Sequence, residues 1–443
     1  MQYVPGVFVG HAFDAGYFHH MMALGSFFQV FSMFMLSLAR QEQYYQYAHT
    51  PVFLESSQIF FAQAVGIGLG MSLIFIPSLT IISHHFRKRR AFVTGMAVTG
   101  ASFGGIVWPI MLNQLIQVTS FANAVRSTGA VAGVMLLVAN LIMKPTKEVK
   151  PLNSGLWKSR NAHGKGEEKQ RQKAEGERGA RQQDQDKNAG DGKRTGKGLR
   201  PGCESSQSQR GKSKTLSMIS NVSISGFKMG FGTGSGLKDI LNDAPFVVSI
   251  AAACLVALGL FFPYFYLQLY AVDLGIDPTL AFYALPILNA SSIAGRLLPN
   301  FFADKIGPFN MIIPCLTATS ILLFSFFGVR DFAAVVVMGI LYGFTSGSYL
   351  SLIPSIIGQL SKYSTQPGLR MGFAFTNVGV WMLVGAPIEG ALLHPDPSTP
   401  GLFYWSRCIV FSAVMVICGA LGMFLSRTLF VKAKRNGEKG QFI

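Results

Sequence analysis

The chain has 443 residues, 50% of them hydrophobic and 12% aromatic, and only 13% charged, about half the charged share of a soluble globular protein. That balance excludes a soluble enzyme and predicts long apolar runs filled by the 48 glycines and 37 phenylalanines. The formal net charge of +17 would suit nucleic acid, but 19 basic and 9 acidic residues fall between Lys144 and Lys214, so over half the excess sits in one polar stretch and a nucleic-acid partner is not expected.

A bilayer core about 30 Å thick needs about 20 apolar helical residues. After an apolar stub at 3–13, too short to cross alone, ten spans follow in chain order. They are 19–39, 56–83, 92–117, 126–143, 245–270, 278–302, 309–329, 332–357, 371–393 and 403–428. Between the fourth and fifth, Lys158 to Lys214 is nearly free of aliphatic residues and cannot bury enough apolar area to offset chain entropy, so it reads as a disordered linker. The expected organisation is an incomplete N-terminal bundle at 1–143, a basic loop at 144–243, a six-helix C-terminal bundle at 244–430 and a tail at 431–443.

Short loops rich in Lys and Arg stay cytoplasmic. One side collects 34 basic residues and the other has four, Arg40, Arg126, Arg330 and Arg407. The long loop and C-terminus are therefore expected inside the cell, and Asp273, Asp277, Asp331 and Asp396 outside. The five cysteines show no CxxC spacing and no neighbouring His cluster, which predicts neither a metal site nor a disulfide framework. No cofactor is expected: Gly211-Lys212-Ser213 imitates the end of a phosphate loop, but Ser206 stands where its first glycine belongs.

Internal repeats are common in transporters. Gly70 and Pro77 recur as Gly347 and Pro354 at an offset of 277, and Pro109-Ile110 recurs as Pro387-Ile388 at 278. An Asp followed by a Gly turn, Asp14 and Gly16, recurs as Asp304 and Gly307, the aspartates 290 apart. The mismatch in offsets predicts about 13 inserted residues within 41–57 and roughly 47 residues missing at the start, by comparison of the two repeats. The implied parent has twelve helices in two sets of six.

Six plus six helices with a long central loop and Asp-Gly turns resemble the major facilitator superfamily. FFPYFYLQLYAVDLGID (261–277), LAFYALPILNASSIAGRLLPNFFADKIGPFN (280–310) and HHFRKRRAFVTGMAVTGASFGGIVWPI (84–110) are similar to segments of fungal monocarboxylate transporter-like proteins. The resemblance implies an all-α polytopic membrane protein lacking the first helix and most of the second. It further implies alternating access for small organic anions or metabolites, with protons as a partner in several members, and no enzymatic activity. Arg296 matches the family's eighth-helix arginine, but Ser292 occupies the place of the aspartate four residues earlier, which weakens proton coupling through that pair. Export of a fungal specialised metabolite fits as well as uptake of an acid, in a plasma or vacuolar membrane. The competing reading is a transport-incompetent product of a transporter gene.

Arg296 leads the candidate site residues, because a cation inside a span costs about 2.5–3.5 kcal/mol on insertion scales and is kept for function or paired. Its alternative is to snorkel towards Asp304, eight residues on. Glu389 is the carboxylate set deepest in a span, either a protonatable group or an outer-rim residue near His394. Asn289, Ser291, Ser292 and Asn377 either face a cavity or bond between helices, and Tyr264, Tyr266 and Gln268 line a pathway or an interfacial belt. Asp14, Gly16, Asp304 and Gly307 are the expected conformational turns.

Overall fold

The computed structural model describes residues 2–38, 60–86, 88–143, 239–361, 366–395 and 403–435. The sequence-based expectations for 41–57 and for the loop at 144–238 lie outside the described residues. Those residues belong to one compact unit, Met1–Val149 with Gly236–Ile443. They are helical apart from a two-residue antiparallel pair, His394–Pro395 with Phe403–Tyr404.

The helices in chain order are α1 (Gly6–Asp14), α2 (Phe18–Leu36), α3 (Gly68–His85, preceded by a π-helical Phe60–Ile67), α4 (Arg90–Val118) and α5 (Phe121–Ile142). In the second half come α6 (Ala244–Gly259), α7 (Phe262–Asp273), α8 (Pro278–Phe282), α9 (Ala284–Ile306), α10 (Pro308–Ser325), α11 (Phe332–Leu360), α12 (Pro367–Leu392) and α13 (Ser406–Arg435). Each of the ten expected spans is mainly helical over its described residues. Eight of these helical segments, with α6 and α7 taken together, are long and apolar enough to cross a membrane. The other two, α2 and α9, are more polar, and α9 hides its polar face: Ser292, Arg296 and Asn300 are all buried.

Two expected spans are broken, and proline accounts for both. A proline ring clashes with the carbonyl four residues earlier. Pro263 therefore ends α6 at Gly259, and Pro286 ends α8 at Phe282. Some helix starts are capped by an acid that satisfies orphan N–H groups: Asp331 accepts from Ala334 N (2.8 Å) and Asp277 from Thr279 N (2.8 Å). The Thr279 contacts hold the Asp277 carboxyl below its ordinary range.

Asp243 caps α6 and also meets Arg370 of α12, Nη1 to Oδ2 at 2.7 Å, with the guanidinium 5.0 Å from the Phe246 ring centre. Both side chains are nearly buried, so removing one strands the other's charge. R370A is expected to lower stability by about 3 kcal/mol, read as a fall in the thermal midpoint of the purified protein; an unchanged midpoint would show that the pair contributes nothing.

Candidate functional site: a central cavity closed at one end

The ends of α1, α3, α9 and α11 and the starts of α2, α4, α10 and α12 lie at one end of the bundle, which also carries Arg90, Lys305 and Arg370. Two aspartates tie that end together in matching ways. Asp14, ending α1, accepts from the N–H groups of Gly368 (2.9 Å) and Leu369 (2.7 Å) in the first turn of α12. Asp304, in the last turn of α9, accepts from Ala91 and Phe92 (both 2.9 Å) in the first turn of α4. A carboxylate on a helix N-terminus meets unpaired N–H groups and the positive end of the helix dipole. Gly16 and Gly307, with φ of 91° and 95°, make the left-handed turns that follow each aspartate.

Glycines let the same helices approach closely. A Cβ on Gly6 would stand 2.7 Å from the Gly372 carbonyl oxygen, and one on Gly368 would stand 2.5 Å from that of Gly10; the reciprocal positions Gly10 and Gly372 have no room either. Across α4 and α9, Gly95 meets the Arg296 carbonyl, Gly105 meets Asn289, and Ser102 hydrogen-bonds Ser292 at 2.6 Å. Both seams join a helix of the first half to one of the second. Just beyond Gly372, Tyr3, Phe75 and Phe375 form a ring cluster with centroids 5.3–5.7 Å apart, closing the floor.

Above this floor lies a cavity of about 600 Å³, walled mostly by apolar side chains such as Met71, Trp108, Met135, Phe261 and Met382. Its charged lining group is Arg296, 4% exposed. The guanidinium donates through Nη1 to the Val98 carbonyl, while Nε has no hydrogen-bond partner among the described residues. Tyr3 and Tyr264 are its electrostatic neighbours. Gln29, whose Oε1 is likewise buried without a partner, lines the cavity too.

The sequence-derived candidates separate on this geometry. Arg296 lines the cavity and does not pair with Asp304, whose two oxygens are taken by α4; snorkelling towards that acid is therefore corrected. Tyr264 bonds Ser346 (3.1 Å) beside Phe261. Ser292 lies in the α4–α9 seam, Asn289 donates to Leu285 O (3.1 Å), and Ser291 donates to the Ile340 carbonyl. Asn377 returns its amide to Phe373 O (2.8 Å) on its own helix. Gln268 is exposed. Glu389, one turn before the end of α12, is buried: it is 1% exposed and bonded to Ser412 of α13. Sequence reasoning missed Tyr3, Gln29, Trp108 and Phe375; polar or aromatic residues recurring on apolar helices were the available signal.

Residues 7–386 match the Major Facilitator Superfamily. Among curated relatives, the MFS-type transporter dbaD of Emericella nidulans is 29% identical over 424 residues, covering 95% of this chain and 74% of that protein. The agnestins efflux protein AgnL12 of Paecilomyces divaricatus is 26% identical, covering 92% and 71%. In the crystal structure of the transporter FucP in the outward conformation, the same fold appears at a TM-score of 0.58 and 11% identity, covering 96% of this chain and 87% of that one. With helices long and apolar enough to cross a bilayer repeatedly and a match over most of its length, the chain belongs to the Major Facilitator Superfamily and is a multi-pass membrane transporter protein.

Proposed function

We propose that the chain exports amphipathic aromatic organic anions by alternating access, as a secondary active transporter of the fungal monocarboxylate transporter-like branch. The observation that carries this is Arg296, one buried guanidinium in the wall of a large, mostly apolar cavity. Such a wall suits a planar apolar body, and the cation orients an acid or phenolate. The efflux assigned by name to AgnL12 supports the outward direction. Bundles at 1–143 and 244–430 rock about the cavity, the 144–243 segment joins them, and the basic end faces the cytoplasm of a cell whose plasma membrane, rather than its vacuole, holds the protein. Asp14 and Asp304 clamp the cytoplasmic end shut, and protons are the coupling ion.

The test is exchange of anthraquinone-2-sulfonate, a planar anion that does not cross lipid unaided, in vesicles containing the purified 443-residue protein. Saturable exchange above empty vesicles is expected. No exchange is the result a transport-incompetent product would give, and it would remove the reading.

A further inference from the structure

Glu389 is unused by the cavity and by the clamps. Its Oε1 accepts from Ser412 at 3.2 Å, and its Oε2, though buried, has no hydrogen-bond partner among the described residues. Two neighbouring donors are spent elsewhere: Cys408 Sγ donates to Glu389's own backbone oxygen (3.1 Å) and the Tyr266 hydroxyl to Ala386 O (3.4 Å). Among the described residues, the titratable groups facing it are Tyr266 from α7, Cys408 from α13 and Tyr342 from α11, whose hydroxyl is bound to Leu260 O (2.5 Å). From α6 comes backbone at Leu258, packed on Gly385. None of these is a cation, and a carboxylate so poorly supplied with donors would be costly to keep charged away from water.

Position links this carboxyl to transport. Phe375, Val378 and Met382 line the cavity from one stripe of α12. Glu389 continues that stripe two turns on, about 10 Å beyond Met382 at 1.5 Å per residue. Over it lies α7, whose Tyr266 hydroxyl would stand 3.1 Å from a Cβ on Gly390. That helix is separated from α6 by a break at Leu260 and Phe261, and its far end is held by Trp405 Nε1 donating to Asp273 Oδ2 at 2.6 Å.

We propose that the Glu389 carboxyl is the proton-carrying site of this transporter, set outside the substrate cavity and opened to water at the end opposite the clamps when α7 swings about its break. Oε2 takes a proton from that water, the closed pocket carries it as the neutral acid, and it leaves towards the cavity when the basic end opens. One proton then enters for each substrate anion exported. This rests on the alternating-access reading above.

The experiment has two arms on wild type and E389Q in lipid vesicles. In the first, infrared spectra across pH 5 to 9 follow the carbonyl band of protonated carboxylic acids, a direct readout of the buried acid; E389Q is expected to remove one band that persists through neutral pH. In the second, a transmembrane pH step drives accumulation of anthraquinone-2-sulfonate. The driven accumulation, relative to exchange at equal pH in the same vesicles, is expected to fall at least about tenfold in E389Q, a loss matching 1.4 kcal/mol of coupling. Driven accumulation equal to wild type, or a wild type indifferent to the pH step, overturns the proposal. A wild type that exchanges nothing overturns the substrate reading instead, and the infrared arm then decides alone: an unaltered band means that Glu389 is ionised and the proposal fails.

Discussion

Gly372→Ala is expected to abolish exchange of anthraquinone-2-sulfonate while the protein stays folded in the membrane. Within an isolated helix the substitution is favourable, since alanine exceeds glycine in helix propensity by about 1 kcal/mol. The cost arises between helices. The new Cβ meets the carbonyl oxygen and carbon of Gly6 inside contact distance, with Gly10 Cα at 3.3 Å, and backbone atoms cannot swing aside as a flexible side chain does. Overpacking of this kind costs about 1–3 kcal/mol. Because α1 and α12 come from opposite halves of the chain, parting them relieves the strain at the expense of the basic-end-closed state. A bias of about 3 kcal/mol shifts a two-state ratio by roughly a hundredfold. The shift is read by a cysteine placed at cavity-lining Ala101: in the G372A background a membrane-impermeant thiol reagent is expected to reach it from the basic end, and in the parent it is not. Gly100→Ala is the control, since a Cβ there meets nothing within 4 Å. Wild-type exchange by G372A with an unreactive A101C would show that this seam does not close the transporter.

The sequence carried much of this arrangement and lost the rest for identifiable reasons. Spans are legible because each must be apolar over a bilayer's thickness whatever its neighbours are, and each of the ten is mainly helical over its described residues. The Asp14 and Asp304 turns are legible because duplication repeats them at a measurable offset. What those carboxylates hold is not legible, since the Gly368 and Ala91 N–H groups belong to helices hundreds of residues away. The same holds for Gly10 and Gly372: a glycine in a membrane helix declares that something may come near, not what. The breaks before Pro263 and Pro286 are not legible, since Pro77, Pro109 and Pro354 lie inside uninterrupted helices and hydropathy runs straight through all of them. Ser292, Asn289 and Asn377 show the limit of reading polarity as a site, because each is absorbed by a bond to a neighbouring helix or to its own.

Arg296→Gln separates recognition of an anion from architecture. Arg296 does two things: it lines the cavity, and its Nη1 donates to the Val98 carbonyl across the α4–α9 seam. Glutamine keeps a donor for the seam and removes the charge. A hydrogen bond to a charged group contributes about 1.5–3 kcal/mol, and a desolvated charge pair broken on one side costs about 2–5 kcal/mol. Affinity for anthraquinone-2-sulfonate is therefore expected to fall by roughly a hundredfold in R296Q, following the rule that 1.4 kcal/mol is tenfold. A neutral analogue of the same shape, anthraquinone-2-carboxamide, keeps the apolar contacts with Trp108, Phe261 and Met382 and gains nothing from the cation, so its affinity is expected to change less than about threefold, within 1 kcal/mol. Arg296→Lys gives an intermediate loss, because the compact ammonium keeps the charge and forgoes the planar two-point contact. Binding of both probes is measured by displacement in detergent-purified protein. If R296Q weakens the two equally, Arg296 acts through the Val98 seam as a structural tie, and the anion must be held by other polar groups lining the cavity, of which Gln29 is the first to substitute.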